Sequence, residues 1–172
     1  MVYSVVQSLN ASTAISGQSP LAQALKVTVG GPLLGKPAPG FALPNVHSDA
    51  RNISTASFKG KPLVINFFAS WCVPCKTELP EFADLSRAEA GKVQFVGVDE
   101  NDTSSGALSL LQKSGVHYPA AFDPSGKLEQ PYHLIGLPTT VFINSRGVVV
   151  AMVAGQISSS ALADYVSSIA IS

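Results

Sequence analysis

Lys61-Pro62-Leu63-Val64-Ile65-Asn66-Phe67-Phe68-Ala69-Ser70-Trp71-Cys72-Val73-Pro74-Cys75 joins two patterns with different physical meanings. The first part is a continuous apolar run with β-branched and aromatic residues, the signature of a strand buried on both faces. The second part holds Cys72 and Cys75, the only two cysteines among 172 residues. Thiols three positions apart can close a disulfide across one turn, and reopen it, without moving the rest of a fold. A Trp precedes the first Cys and a Pro precedes the second, and a helix-compatible run follows. Strand, C-x-x-C and helix in that order are the context of a redox dithiol.

Working outward, strand and helix signals alternate. The pattern predicts a helix over 72–90, kinked at Pro80, and a second buried strand over 92–98. A helix follows over 103–114 with its cap at Asp102 or Thr103, then a short strand over 118–122 and a short helix over 127–133. Strands are expected over 139–143 and 147–153, around the turn-rich Asn144-Ser145-Arg146-Gly147, and a final helix over 159–170. Upstream, 41–44 and 52–54 read as two short strands around a turn. Together these predict an α/β sandwich with a mixed sheet. Residues 1–35 are rich in Ser, Ala, Gly and Gln, with Lys26 as their only charge. They read as a partly ordered extension, with short helical stretches around Val5, Val6, Leu9, Leu21 and Leu25. Gly30-Gly31-Pro32 and Lys36-Pro37-Ala38-Pro39-Gly40 suggest a linker, and the domain proper is expected over 36–172.

Hydrophobic residues make up 46% of the chain, enough to fill one core, and charged residues only 13%, against roughly 25% in average soluble proteins. Eleven basic and eleven acidic residues cancel, so no electrostatic footprint for nucleic acid is present. No Lys/Arg run suggests an anionic membrane surface. No run of about 18 apolar residues predicts a transmembrane helix. Met1 to Val6 lacks the basic and apolar regions of a signal peptide. A single Cys pair does not fix the redox compartment.

At a helix N-terminus Cys72 meets unpaired backbone N–H groups and the positive end of the helix dipole, which favour a thiolate. Cys75 lies one turn further in and is expected to be covered. Cys72 is therefore the expected attacking thiol and Cys75 the resolving one. The competing readings are a static structural pair or half of a zinc site. Zinc would need two further ligands, and His47, His117 and His133 show no paired spacing; they read as loop or surface residues. Haem attachment would need a His where Lys76 stands. Glu78 is i+3 from Cys75 and shares its helix face, where it could move the proton of Cys75 or simply be a solvated helix residue. Asp99 and Glu100 read as a solvated strand end.

The chain resembles the thioredoxin superfamily over roughly 36–170, and within it the TlpA/ResA-like branch, which includes bacterial membrane-anchored reductases of cytochrome c maturation. Four features carry the resemblance: the Asn66–Cys75 stretch, Glu78-Leu79-Pro80, Gly136-Leu137-Pro138-Thr139-Thr140, and a strand–helix stretch over 95–122 that looks like the branch's insertion. The resemblance implies a central mixed β-sheet flanked by helices, with an N-terminal β-hairpin and that insertion. Thioredoxin carries a buried Asp where this chain has Asn66. Glu78 stands where the branch carries its acid, which implies a buried carboxyl that relays the Cys75 proton. Pro138 is expected to be cis and to lie against the Cys pair. The backbone of Leu137 is then expected to pair with an extended substrate segment, and Trp71 to flank Cys72 as a docking surface rather than fill the core.

The implied activity is thiol–disulfide exchange on protein disulfides, with apocytochrome c as one substrate class and no bound cofactor or metal. The implied electron donor is a membrane thiol-reducing partner of the DsbD/CcdA kind. The implied location is extracytoplasmic, with an anchor in a full-length form, and the implied state is a monomer. Two other readings compete. The 36–41 segment resembles that of peroxiredoxins, which implies a thiol peroxidase, although those enzymes use a lone peroxidatic Cys. A redox-sensing or haem-chaperone module would capture partners without catalysis.

Overall fold

The computed structural model describes residues 28–47 and 50–171. Its centre is β4 (Leu63–Phe68), all six residues of which are buried, as an apolar run without alternation requires. On one side β4 pairs in parallel with β5 (Gln94–Glu100), which pairs in parallel with β6 (Ala120–Asp123). On the other side it pairs antiparallel with β7 (Thr139–Ile143), and β7 with β8 (Val149–Ala154). β1 (Thr28–Val29) adds antiparallel to β8, which gives six strands in the order β1-β8-β7-β4-β5-β6. β2 (Ala42–Leu43) and β3 (Ile53–Ser54) form a separate two-stranded antiparallel sheet. The mixed sheet and the N-terminal hairpin are those the sequence predicts.

Alternate β4 side chains enter two different cores, as the strand period demands. Leu63, Ile65 and Phe67 pack with Leu43, Ile53, Val98 and Tyr132, under the small sheet and the short helix α3 (Glu129–Tyr132). Val64 and Phe68 face the opposite layer. That layer contains α1 (Val73–Ala88), α2 (Ser104–Lys113) and α4 (Ser159–Ala170), which contribute Leu79, Phe82, Leu110, Leu162 and Val166. Phe67, Phe68 and Phe142 are wholly buried, each worth about 1.5–3 kcal/mol of transfer free energy.

The final helix spans the predicted residues. The hydroxyl of Thr103 caps α2 by accepting the Gly106 N–H at 3.2 Å. α1 continues through Pro80 as one helix. Pro80 lies on the exposed side, where water can satisfy the carbonyl one turn back that loses its N–H partner. β5 starts and ends two residues later than predicted, so Asp99 and Glu100 lie inside the sheet.

The described part of the expected extension, 28–35, is laid onto the domain rather than serving as a linker. The Gly30 N–H donates to the Met152 carbonyl and the Gly35 N–H to the Val149 carbonyl, each at 2.9 Å. Leu33 is buried in the core. The free edge of β8 and one apolar side chain are what hold this segment. The short helical stretches expected around Val5, Val6, Leu9, Leu21 and Leu25 lie outside the described residues.

Candidate active site

The carboxyl ends of the parallel strands β4 and β5 face the loops that carry the reactive groups, the usual position for a site in such a sheet. Four residues past β4, Cys72 caps α1. It forms a disulfide with Cys75 across a Cα–Cα distance of 5.3 Å. Its Sγ also accepts the Cys75 N–H at 3.2 Å, so one sulfur already meets the orphan donors of the helix start. Pro74 occupies the first turn, where a missing N–H leaves no bond unmade. Cys72 is 4% exposed and Cys75 is 0%. The expected asymmetry is present but small, because the disulfide holds both sulfurs against the same buried cluster. Exposure is concentrated instead in the neighbours Trp71, at 59%, and Val73, at 70%.

Trp71 is therefore not a core residue. Its indole N–H donates to the Asn101 carbonyl at 3.1 Å, which fixes the ring beside the disulfide. Behind it, Ser70 donates both its backbone N–H and its hydroxyl to Asp102. Burial raises the Asp102 pKa, but hydrogen bonds from the Ser70 and Thr103 N–H groups outweigh burial and hold this carboxyl below its ordinary range. Gly106 keeps space for this clamp, since a Cβ there would lie 2.5 Å from the Ser70 hydroxyl.

Glu78 is 2% exposed. One carboxyl oxygen accepts the Asn66 amide at 3.0 Å and the other accepts the Ile157 N–H at 3.2 Å. Desolvation dominates these two bonds and pushes the pKa from 4.5 to about 7. Asn66 also donates to the Thr140 hydroxyl at 3.3 Å, which links the acid to the strand that follows the cis-proline loop. Leu137–Pro138 is a cis peptide, and the Pro138 carbonyl accepts the Gly155 N–H at 2.8 Å. Leu137 packs against the cluster that contains both cysteines. Among the described residues, neither its N–H nor its carbonyl has a hydrogen-bond partner. Trp71 and Leu137 line one groove of about 240 Å³.

Several residues of this region escaped the sequence reading. The Tyr118 hydroxyl is buried without a hydrogen-bond partner. Burial first, and then the charge of Glu78, raise its pKa above the ordinary tyrosine value. Asp99 and Glu100 are 0% and 1% exposed, not a solvated strand end; both lie where β5 pairs with β6. Burial, followed by Asp102, pushes Asp99 up to about 8. An acid at the end of an otherwise apolar strand was the available signal. His47, His117 and His133 are all exposed, as expected. Among the described residues, no group of three His, Cys, Asp or Glu side chains could hold a metal.

Comparison with known proteins fits this arrangement. A model of the AhpC/TSA family matches residues 34–152. The thiol:disulfide interchange protein DsbE of Xylella fastidiosa is 36% identical over 118 residues, covering 68% of this chain and 59% of that protein. This chain thus spans less than two thirds of that relative's length. The thiol-disulfide oxidoreductase ResA of Bacillus subtilis is 31% identical over 132 residues, covering 76% of this chain and 73% of ResA. A crystal structure of a thiol:disulfide interchange protein of the thioredoxin family, from Chlorobium tepidum, superposes with a TM-score of 0.70 at 28% identity, over 78% of this chain and 95% of that one. The chain belongs to the AhpC/TSA family, with the DsbE and ResA thiol–disulfide oxidoreductases among its relatives and a thioredoxin-like fold.

Proposed function

We propose that this protein is a thiol–disulfide oxidoreductase that reduces protein disulfides through Cys72 and Cys75. The observation that carries the reading is the Cys72–Cys75 disulfide at the N-terminus of α1, packed against Leu137 of the cis-proline loop. In the reduced protein, the Cys72 thiolate attacks one sulfur of the substrate disulfide. A mixed disulfide forms and the first substrate thiolate leaves. Cys75, deprotonated in turn, attacks Cys72, re-forms the internal disulfide and releases the second substrate thiolate. Two electrons pass from the cysteine pair to the substrate, whose two sulfurs each take up a proton.

Glu78 serves as the acid that takes and returns the Cys75 proton, since its pKa near neutrality suits transfer in either direction. Leu137 offers an unpaired backbone edge to an extended substrate segment, with Pro138 and Trp71 flanking it. Residues 36–172 carry this activity, with 28–35 packed onto them. Turnover draws on a dithiol donor, for which a membrane thiol-reducing protein of the DsbD/CcdA kind is the expected partner. Apocytochrome c is a candidate substrate, and the expected setting is extracytoplasmic. Among the described residues no helix is long and apolar enough to cross a membrane.

Equilibration of the Cys72–Cys75 pair with glutathione tests the direction of transfer. A reductase should give a potential near that of thioredoxin, about −270 mV, whereas a value near about −120 mV would make the protein an oxidant.

A further inference from the structure

We propose that Asp99 is a positioning residue for the reactive turn: as the neutral acid it donates a hydrogen bond to Asp102, which in turn holds Ser70, two residues before Cys72. This role rests on the oxidoreductase reading above and deepens it.

Asp99 lies between Phe68 of β4 and Phe122 of β6 in the sheet. It is 0% exposed, and no backbone or hydroxyl donor reaches either of its carboxyl oxygens. Its side-chain hydrogen-bond partner is the carboxyl of Asp102. Two carboxylates are acceptors alone, so the pair can share a hydrogen bond only when one of them carries a proton. The surroundings decide which one. Asp102 accepts the Ser70 and Thr103 N–H groups and the Ser70 hydroxyl, and these donors favour its charged form. Asp99 has no such donor and is cut off from water. The proton therefore resides on Asp99, which keeps it up to a pH of about 8. Together with the Asp99 O–H, the Ser70 and Thr103 donors fill a carboxylate's capacity of about four hydrogen bonds.

Chain connectivity carries this pair to the dithiol. Asp102 fixes Ser70 at its N–H and its hydroxyl, and the Asn101 carbonyl fixes the Trp71 indole. One turn thus holds both residues that precede the attacking thiol. When Asp99 loses its proton to solvent, repulsion between two adjacent carboxylates replaces the hydrogen bond, and the clamp on Ser70 loosens. The titratable groups that face Asp99 are Asp102 and its strand neighbour Glu100. Glu100 points to the opposite face of the sheet, where it shares a hydrogen bond with Asp123. Among the described residues, no Lys, Arg or His forms an ion pair with any of these acids, so no cation absorbs the new charge.

Trp71 is the only Trp, so its fluorescence in the oxidised full chain, where no thiol titrates, reports on this turn. Between pH 6 and 10 the parent should show a transition with its midpoint at about 8. Asp99→Asn should lack it, because the amide donates to Asp102 at every pH, and Glu100→Gln should keep it. Asp102→Asn removes the neighbouring charge and should lower the midpoint by about one pH unit. Asp102 is half-buried, so this variant tests the idea even if Asp99→Asn fails to fold. A parent without a transition, one that persists in Asp99→Asn, or a midpoint unmoved by Asp102→Asn would overturn the inference. In the reduced full chain, exchange with a disulfide-linked peptide is compared between the parent and Asp99→Asn at pH 7 and pH 9. The parent-to-variant rate ratio should fall about fivefold over this interval. A constant ratio would overturn the positioning role and leave the oxidoreductase reading standing. No exchange by the parent at either pH would remove the oxidoreductase reading, and this inference with it.

Discussion

Glu78→Gln should remove a specific slope from the stability of the oxidised protein between pH 4.5 and about 7. Below pH 4.5 the carboxyl is protonated in both the folded and the unfolded chain. Between 4.5 and about 7 the unfolded chain has released the proton while the folded protein retains it. Stability therefore falls as pH rises through this window, and it levels off once the folded carboxyl is also ionised. The rise from 4.5 to about 7 corresponds to about 3 kcal/mol. The amide of Gln stays neutral throughout, so the variant lacks this loss. Its single oxygen cannot accept from both Asn66 and Ile157 as the carboxylate does, which costs about 1–2 kcal/mol. The variant should therefore be no more stable than the parent at pH 4.5 and more stable at pH 8, with a total swing of about 3 kcal/mol. Urea unfolding at pH 4.5, 6 and 8, with the disulfide kept intact, measures it. Asp99 and Glu100 titrate in both proteins and cancel in the difference. A stability difference that stays constant across pH would refute the burial argument. If the carboxyl also relays the Cys75 proton, Glu78→Gln should slow disulfide exchange and change the pH profile of thiol alkylation.

Leu33→Ala tests whether residues 28–35 belong to the domain. Leu33 is 8% exposed, so its truncation should cost about 2–3 kcal/mol in urea unfolding, whereas a free linker would give almost no change. Asp102→Asn weakens the clamp on Ser70, because one amide oxygen replaces two that accept from Ser70 and Thr103. It should lower stability at pH 7 by about 1–3 kcal/mol and slow disulfide exchange, measured on the same samples.

The parts of this fold that were legible in sequence are those in which one local signal decides the outcome. The apolar run of β4 could only be a strand covered on both faces, and the Thr103 hydroxyl marks the start of α2 within one residue. The 159–170 helix shows its apolar side at Leu162, Val166 and Ile169, all of them buried. The Cys pair announced its own chemistry, and a buried Glu78 was the expectation that spacing and resemblance gave together, matched by its 2% exposure. What remained hidden depends on contacts distant in sequence. The N–H that holds Glu78 comes from Ile157, 79 positions away. Burial of Asp99 and Glu100 depends on the pairing of β5 with β6, which no property of β5 foretells. β1 has two residues, too few for any periodicity, and its place is set by the free edge of β8.

The central claim is that Cys72 attacks and Cys75 resolves, and a trap addresses it most directly. Reduced Cys75→Ser and Cys72→Ser proteins are each mixed with a disulfide-bonded protein substrate, and covalent adducts are identified by intact mass and peptide mapping. A lasting mixed disulfide through Cys72 is expected in Cys75→Ser, and no comparable adduct in Cys72→Ser. An adduct that accumulates through Cys75 in Cys72→Ser, with none in Cys75→Ser, would contradict it.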